Sequence, residues 1–182
     1  MDLSGYKDSD FKMEVVDQTM PSIFSNFACG NETIDRYFRN FNFQDNICYA
    51  YIDKKSNSIV GLADICCSAI NTMYDNTIVR MIPAIKIDHF AVSLQYQDVL
   101  WQPMNVENDD DHFYLSDMFL CSLIAYARLI SEKFIGAAYI ILHSVPNAEH
   151  FYLRNGFKNF WEYMRIEKNL YVDQCIPMLL QL

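Results

Sequence analysis

The chain has 182 residues, 52% hydrophobic and 20% charged, enough for a single domain over 1–182 with a real core. Fourteen Lys and Arg stand against 23 Asp and Glu, a net charge of −9 that speaks against general nucleic-acid or anionic-membrane binding. The apolar runs, such as 137–142, fall far short of the roughly 20 residues of a membrane helix, and residues 1–8 hold no secretory stretch, so a cytoplasmic protein is expected.

Phe11-Lys12-Met13-Glu14-Val15-Val16 alternates as a strand does. Asn31 or Thr33 can cap a helix through Asn40 that keeps Ile34, Tyr37 and Phe38 on one face. Residues 47–52 read as a strand, 53–58 as a turn and 59–66 as the hairpin partner. Pro83 opens a further strand over 84–92. A polar, acidic stretch then runs to about Leu115, where Ser116 caps a helix from Asp117 to about Lys133.

After Gly136, residues 138–143 are apolar without alternation, the pattern of a strand covered on both faces. Strand, helix and apolar strand in that order predict a βαβ unit with parallel strands. A short helix over 147–155 follows, with Gly156 at its end, and 176–180 forms a last strand. The fold class is therefore mixed α/β (α+β), one central sheet flanked by helices. The six cysteines form no CxxC pair and no His sits at metal-ligand spacing, so neither a metal site nor a catalytic thiol is expected.

Three segments carry more than periodicity. They are Phe27-Ala28-Cys29-Gly30-Asn31, Phe90-Ala91-Val92-Ser93-Leu94-Gln95-Tyr96-Gln97, and an apolar strand leading to Ala148, Phe151-Tyr152 and Gly156-Phe157. In this order they resemble the GCN5-related N-acetyltransferase family, in the branch that contains tRNA-acetylating toxins. The resemblance implies acetyl transfer from acetyl-coenzyme A, as co-substrate, to an amine, with the pantetheine arm lying between two parallel strands that splay apart. It implies cofactor contacts at Phe90, Ala91, Val92 and Gln97. Ser116, Asp117 and Met118 at the helix start would replace the family's phosphate-loop glycines. Asn147, which could cap the short helix where Val145 takes the place of the family's Asn, is a further candidate contact. It also implies that Tyr152 protonates the departing thiolate, which suits a phenol that stays neutral at pH 7. Plain packing against the sheet suits Tyr152 as well.

One departure bears on the cofactor. The family's glycine-rich pyrophosphate loop should follow Gln97, but no glycine occurs between Gly61 and Gly136. From Ile87 to Tyr126 there is no Lys or Arg, and Asp88, Asp98, Glu107, Asp109, Asp110, Asp111 and Asp117 all fall there. Either residues 98–115 loop out and the helix start still holds the phosphates, or the site has decayed into a silent binding module. His89, His143, Asp64 and Asp88 stand as weak candidate bases. The acidic rim favours a cationic small molecule or basic peptide as acceptor, with nucleic acid disfavoured by charge, no membrane, and homodimerisation left open. A toxin-like enzyme acting on aminoacyl-tRNA is the alternative within the same fold.

Overall fold

The computed structural model describes residues 7–20, 22–25, 27–75, 77–101, 112–160 and 174–182. Seven strands form one mixed sheet in the order β1-β2-β3-β4-β5-β7-β6. They are β1 (Phe11–Val16), β2 (Ile47–Asp53), β3 (Ser58–Tyr74), β4 (Thr77–Val92), β5 (Tyr139–Ser144), β6 (Lys158–Asn159) and β7 (Ile176–Gln181). The helices are α1 (Ser22–Ser25), α2 (Glu32–Arg39), α3 (Leu115–Ile130) and α4 (Glu149–Arg154). The chain divides into two compact units, Met1–Asp64 with His89–Ser122, and Ile65–Asp88 with Leu123–Leu182.

In the first unit β1 and β2 are antiparallel, from Phe11 opposite Asp53 to Val16 opposite Cys48. Helix α2 starts where the sequence predicts. The Asn31 side chain accepts from the amides of Thr33 at 3.0 Å and Ile34 at 3.3 Å, which satisfies two otherwise orphaned donors. The helix buries Phe38 completely, in a cluster with Phe24, Phe27, Phe41 and the inward residues of β2. Each such ring contributes about 1.5–3 kcal/mol. The β2–β3 turn is tied by Asp53, whose fully buried carboxylate accepts from Lys55 N at 2.9 Å and Ser56 Oγ at 2.7 Å.

Gly61 on β3 is required by a close approach. A Cβ there would meet the Phe119 ring at 2.6 Å and the Ala91 carbonyl oxygen at 2.8 Å. The ring can tilt, but the backbone oxygen of β4 cannot give way cheaply. Gly61→Ala is therefore expected to destabilise by about 1–3 kcal/mol, measured as a lower denaturant midpoint at unchanged slope.

The second unit holds the parallel pair. Strands β4 and β5 run in register from Ala84–Tyr139 to Ile87–Leu142, as the βαβ pattern predicts. Strand β7 closes on β5 in antiparallel fashion, from Tyr139–Gln181 to Ser144–Ile176. Two strands run further than the sequence suggests: β3 to Tyr74 instead of Cys66, and β4 from Thr77 instead of Ala84. Pro83 does not open β4. It lies inside the strand, where its carbonyl accepts from Ala138 N at 2.9 Å and only its N–H is missing.

Candidate active site

Helix α3 begins at Leu115, so Ser116 does not cap it. Asp117 caps it instead: its carboxylate, 1% exposed, accepts from Tyr114 N at 2.8 Å, the reach-back half of a capping box. Leu115 N bonds Val99 O and Trp101 N bonds Phe113 O, both at 2.8 Å. The two ends of the acidic excursion are thus zipped together, with Trp101 buried edge-on to Phe11. Residues 102–111, with Glu107 and Asp109 to Asp111, lie outside the described residues.

The other predicted cofactor positions are placed as follows. Ala91 and Val92 are buried at the end of β4, and the Phe90 ring stacks on Phe119 at 4.7 Å. The Gln97 side-chain amide donates to the carbonyls of Cys29 at 2.8 Å and Val92 at 3.0 Å. It therefore staples the 27–31 opening to the β4 end. Met118 is half-buried and accepts from Ser122 Oγ through its carbonyl. Asn147 is exposed and does not cap α4: the capping positions are Val145 for the preceding 3₁₀ turn and Ala148 for the helix, neither with a side-chain bond.

Tyr152 sits on α4 with its side chain 7% exposed, edge-to-face with Phe151 at 5.0 Å and with Phe157 at 5.6 Å. Burial raises its pKa far above the ordinary phenol value, so it stays protonated at any working pH. The helix ends at Gly156, whose φ of +87° is the left-handed conformation that glycine adopts without strain. Burial also pushes the Cys29 thiol up to about 11 and the Cys48 thiol upward, which leaves both protonated and poorly nucleophilic. His143, on β5, has its pKa lowered by burial and by Lys86.

The polar cluster of the first unit centres on Asp64, which is 0% exposed. It accepts from Tyr37 Oη at 2.9 Å, from Asn46 Nδ2, and pairs with His89 Nδ1 at 3.0 Å. The His89 ring stacks on Tyr37 with centroids 3.6 Å apart and planes 22° from parallel. Sequence reasoning named Asp64 and His89 as weak candidates and missed Tyr37 and Asn46 as their partners. Spacings of 27 residues from Tyr37 and 18 from Asn46 to Asp64 carry no local signal. Among the described residues no group of His, Cys, Asp or Glu is arranged to hold a metal. A cavity of about 430 Å³ in the same unit is lined by Glu14, Asn57 and Ser58 and, from the segment after β4, by Ser93 and Gln95, among others.

No protein family's sequence profile and no curated protein matches the chain. Solved structures do. A bacterial toxin is 17% identical, with a TM-score of 0.68 over 94% of this chain and 90% of that one. The AtaTR complex bound with acetyl-CoA is 13% identical, with a TM-score of 0.68 over 95% and 94%. AtaT complexed with acetyl-methionyl-tRNAfMet is 13% identical, with a TM-score of 0.63 over 92% and 94%. At such identities the likeness is one of fold, the mixed-sheet fold of these toxins, as the sequence resemblance led one to expect.

Proposed function

We propose that the chain is an N-acetyltransferase that moves an acetyl group from acetyl-CoA to an amine. The observation that carries this reading is the likeness, over more than nine-tenths of each chain, to a structure bound with acetyl-CoA. The parallel β4–β5 pair, joined through α3, supports it. On this reading the end of β4, Phe90 to Val92, meets the pantetheine arm, and the start of α3, Ser116 to Met118, meets the pyrophosphate. Gln97 acts by holding the β4 end in place. Asp117 serves the helix start through its cap, and its charge there is engaged with a backbone amide. Asn147 remains a candidate contact of the cofactor. Tyr152, held neutral by burial, gives its proton to the leaving thiolate.

A second reading concerns the acceptor. The complex of AtaT with acetyl-methionyl-tRNAfMet favours an aminoacyl-tRNA, whose α-amine has the same nucleophilic chemistry as a small amine. The net charge of −9 favours a cationic small molecule or peptide instead.

Acetyl-CoA at about 100 times its dissociation constant should stabilise the protein by about 2.7 kcal/mol, read as a higher melting temperature. Absence of any shift at millimolar acetyl-CoA would overturn the proposal. Radiolabelled acetyl transfer to n-butylamine, a lysine peptide and methionyl-tRNA then identifies the acceptor. A tRNA acceptor is expected to show kcat/KM falling steeply with added salt, and a small amine far less.

A further inference from the structure

We infer that His89, oriented by the buried carboxylate of Asp64, takes the proton that the acceptor amine must lose before it attacks. This rests on the acetyl-transfer reading above. Asp64 faces three groups. Tyr37 Oη and Asn46 Nδ2 donate to its Oδ2, and His89 Nδ1 faces its Oδ1 at 3.0 Å. A carboxylate buried this completely is tolerated when every polar group against it donates to it. The proton of His89 therefore lies on Nδ1, and the lone pair lies on Nε2.

That lone pair is available. No described residue bonds Nε2, yet among the described residues no buried side-chain nitrogen or oxygen lacks a partner. Nε2 is therefore at the surface of the first unit, consistent with a His89 side chain 30% exposed. The ring is also held still, stacked on Tyr37 and edge-on to Phe38 at 6.1 Å. An imidazole with a fixed tautomer, a fixed plane and one open nitrogen is organised for proton transfer before substrate arrives. A ring that only filled space would not need a charged group at 0% exposure behind it. His89 also directly precedes Phe90-Ala91-Val92, the strand end assigned to the acyl donor.

The step balances. An amine reaches the enzyme at neutral pH as an ammonium ion and must shed two protons in all. One passes to Nε2 of His89 and on to water. The freed nitrogen lone pair attacks the thioester carbonyl, the C–N bond forms and the C–S bond breaks. The second ammonium proton leaves to solvent, and the thiolate takes one from the Tyr152 phenol, which is restored from solvent. The groups facing His89 are Asp64 from β3 and Tyr37 from α2, with Cys48 of β2 within reach of the Asp64 charge.

The test compares the parent with His89→Gln and His89→Ala, using whichever of n-butylamine, a lysine peptide or methionyl-tRNA the parent acetylates. Acetyl-CoA binding is measured separately by calorimetry. The expected result is acetyl-CoA affinity within about twofold of the parent and kcat/KM at pH 7 lower by about 10²-fold or more. Added imidazole restores part of the rate to His89→Ala. The ¹⁵N spectrum of the parent, its four histidines sorted by the His89→Gln spectrum, should show His89 protonated at Nδ1 near neutrality. A parent-like rate in both variants, or a proton found on Nε2, overturns the assignment and leaves the acetyltransferase reading standing. A parent that neither binds acetyl-CoA nor transfers its acetyl group overturns both.

Discussion

Tyr152→Phe is expected to lower the turnover of acetyl transfer by about 10²–10⁴-fold, the usual contribution of a general acid. The phenylalanine keeps the ring and its edge-to-face contacts with Phe151 and Phe157 and removes only the hydroxyl. Because burial holds the phenol far from ionisation, the wild-type group is loaded with its proton across the whole working range. Its loss should therefore depress the rate at every pH without moving the limbs of the profile. That separates it from His89, whose loss added imidazole partly rescues. Affinity for acetyl-CoA should be unchanged. The measurements are steady-state kinetics with the acceptor identified above and a denaturant titration of both proteins. An equal rate in the variant would make Tyr152 a packing residue, with the proton supplied from elsewhere. A stability loss above about 1.5 kcal/mol would mean that the hydroxyl was satisfying a buried partner.

The largest effect on stability is expected from Asp64→Asn, a loss of about 3 kcal/mol. The carboxylate faces Tyr37 Oη, Asn46 Nδ2 and His89 Nδ1, and each must donate. An asparagine offers one acceptor oxygen and turns an N–H₂ group toward at least one of those donors. A buried donor left without an acceptor costs about 1–3 kcal/mol, and the donor facing it adds a further unsatisfied group. Tyr37→Phe removes one donor and leaves the carboxylate two, so it should cost only about 1 kcal/mol. The same measurement on both, a midpoint shift in urea at constant slope, checks the ranking. Equal losses in the two variants would show that the Tyr37 hydroxyl alone carries the cost, since phenylalanine keeps the ring stacked on His89 with centroids 3.6 Å apart. Asp64→Asn should also depress acetyl transfer, because it releases the tautomer of His89.

The sequence by itself determined the elements whose causes are local. Asn31 caps α2 because the accepting side chain and its two donor amides lie within three residues. Alternation marks β1, and unbroken apolarity marks β5 as a strand covered on both faces. The order strand, helix, apolar strand was enough to predict that β4 and β5 pair in parallel, since a crossover of that length admits few other arrangements. Three short motifs in register pointed to the fold, although no sequence profile matches the chain.

Tertiary structure decided the rest, for reasons of distance along the chain. Residues 67–74 and 77–83 lack clean alternation, and Pro83 looks like a strand boundary; pairing across the long hairpin and the bond from Ala138 N to Pro83 O make them strand. Ser116 and Asp117 are both good caps in isolation. Which of them serves depends on where Tyr114 is held, and the antiparallel zipping of 99–101 onto 113–115 fixes that. Gln97 looks like the start of a phosphate loop, yet its side chain bonds a carbonyl 68 residues earlier. The Asp64 cluster draws one residue each from α2, the segment before β2, β3 and β4. A lone histidine in a strand carries no sign of the carboxylate behind it. Only the pairing of β3 with β4, and the packing of α2 against them, brings a buried charge to the back of that ring and leaves its other nitrogen open.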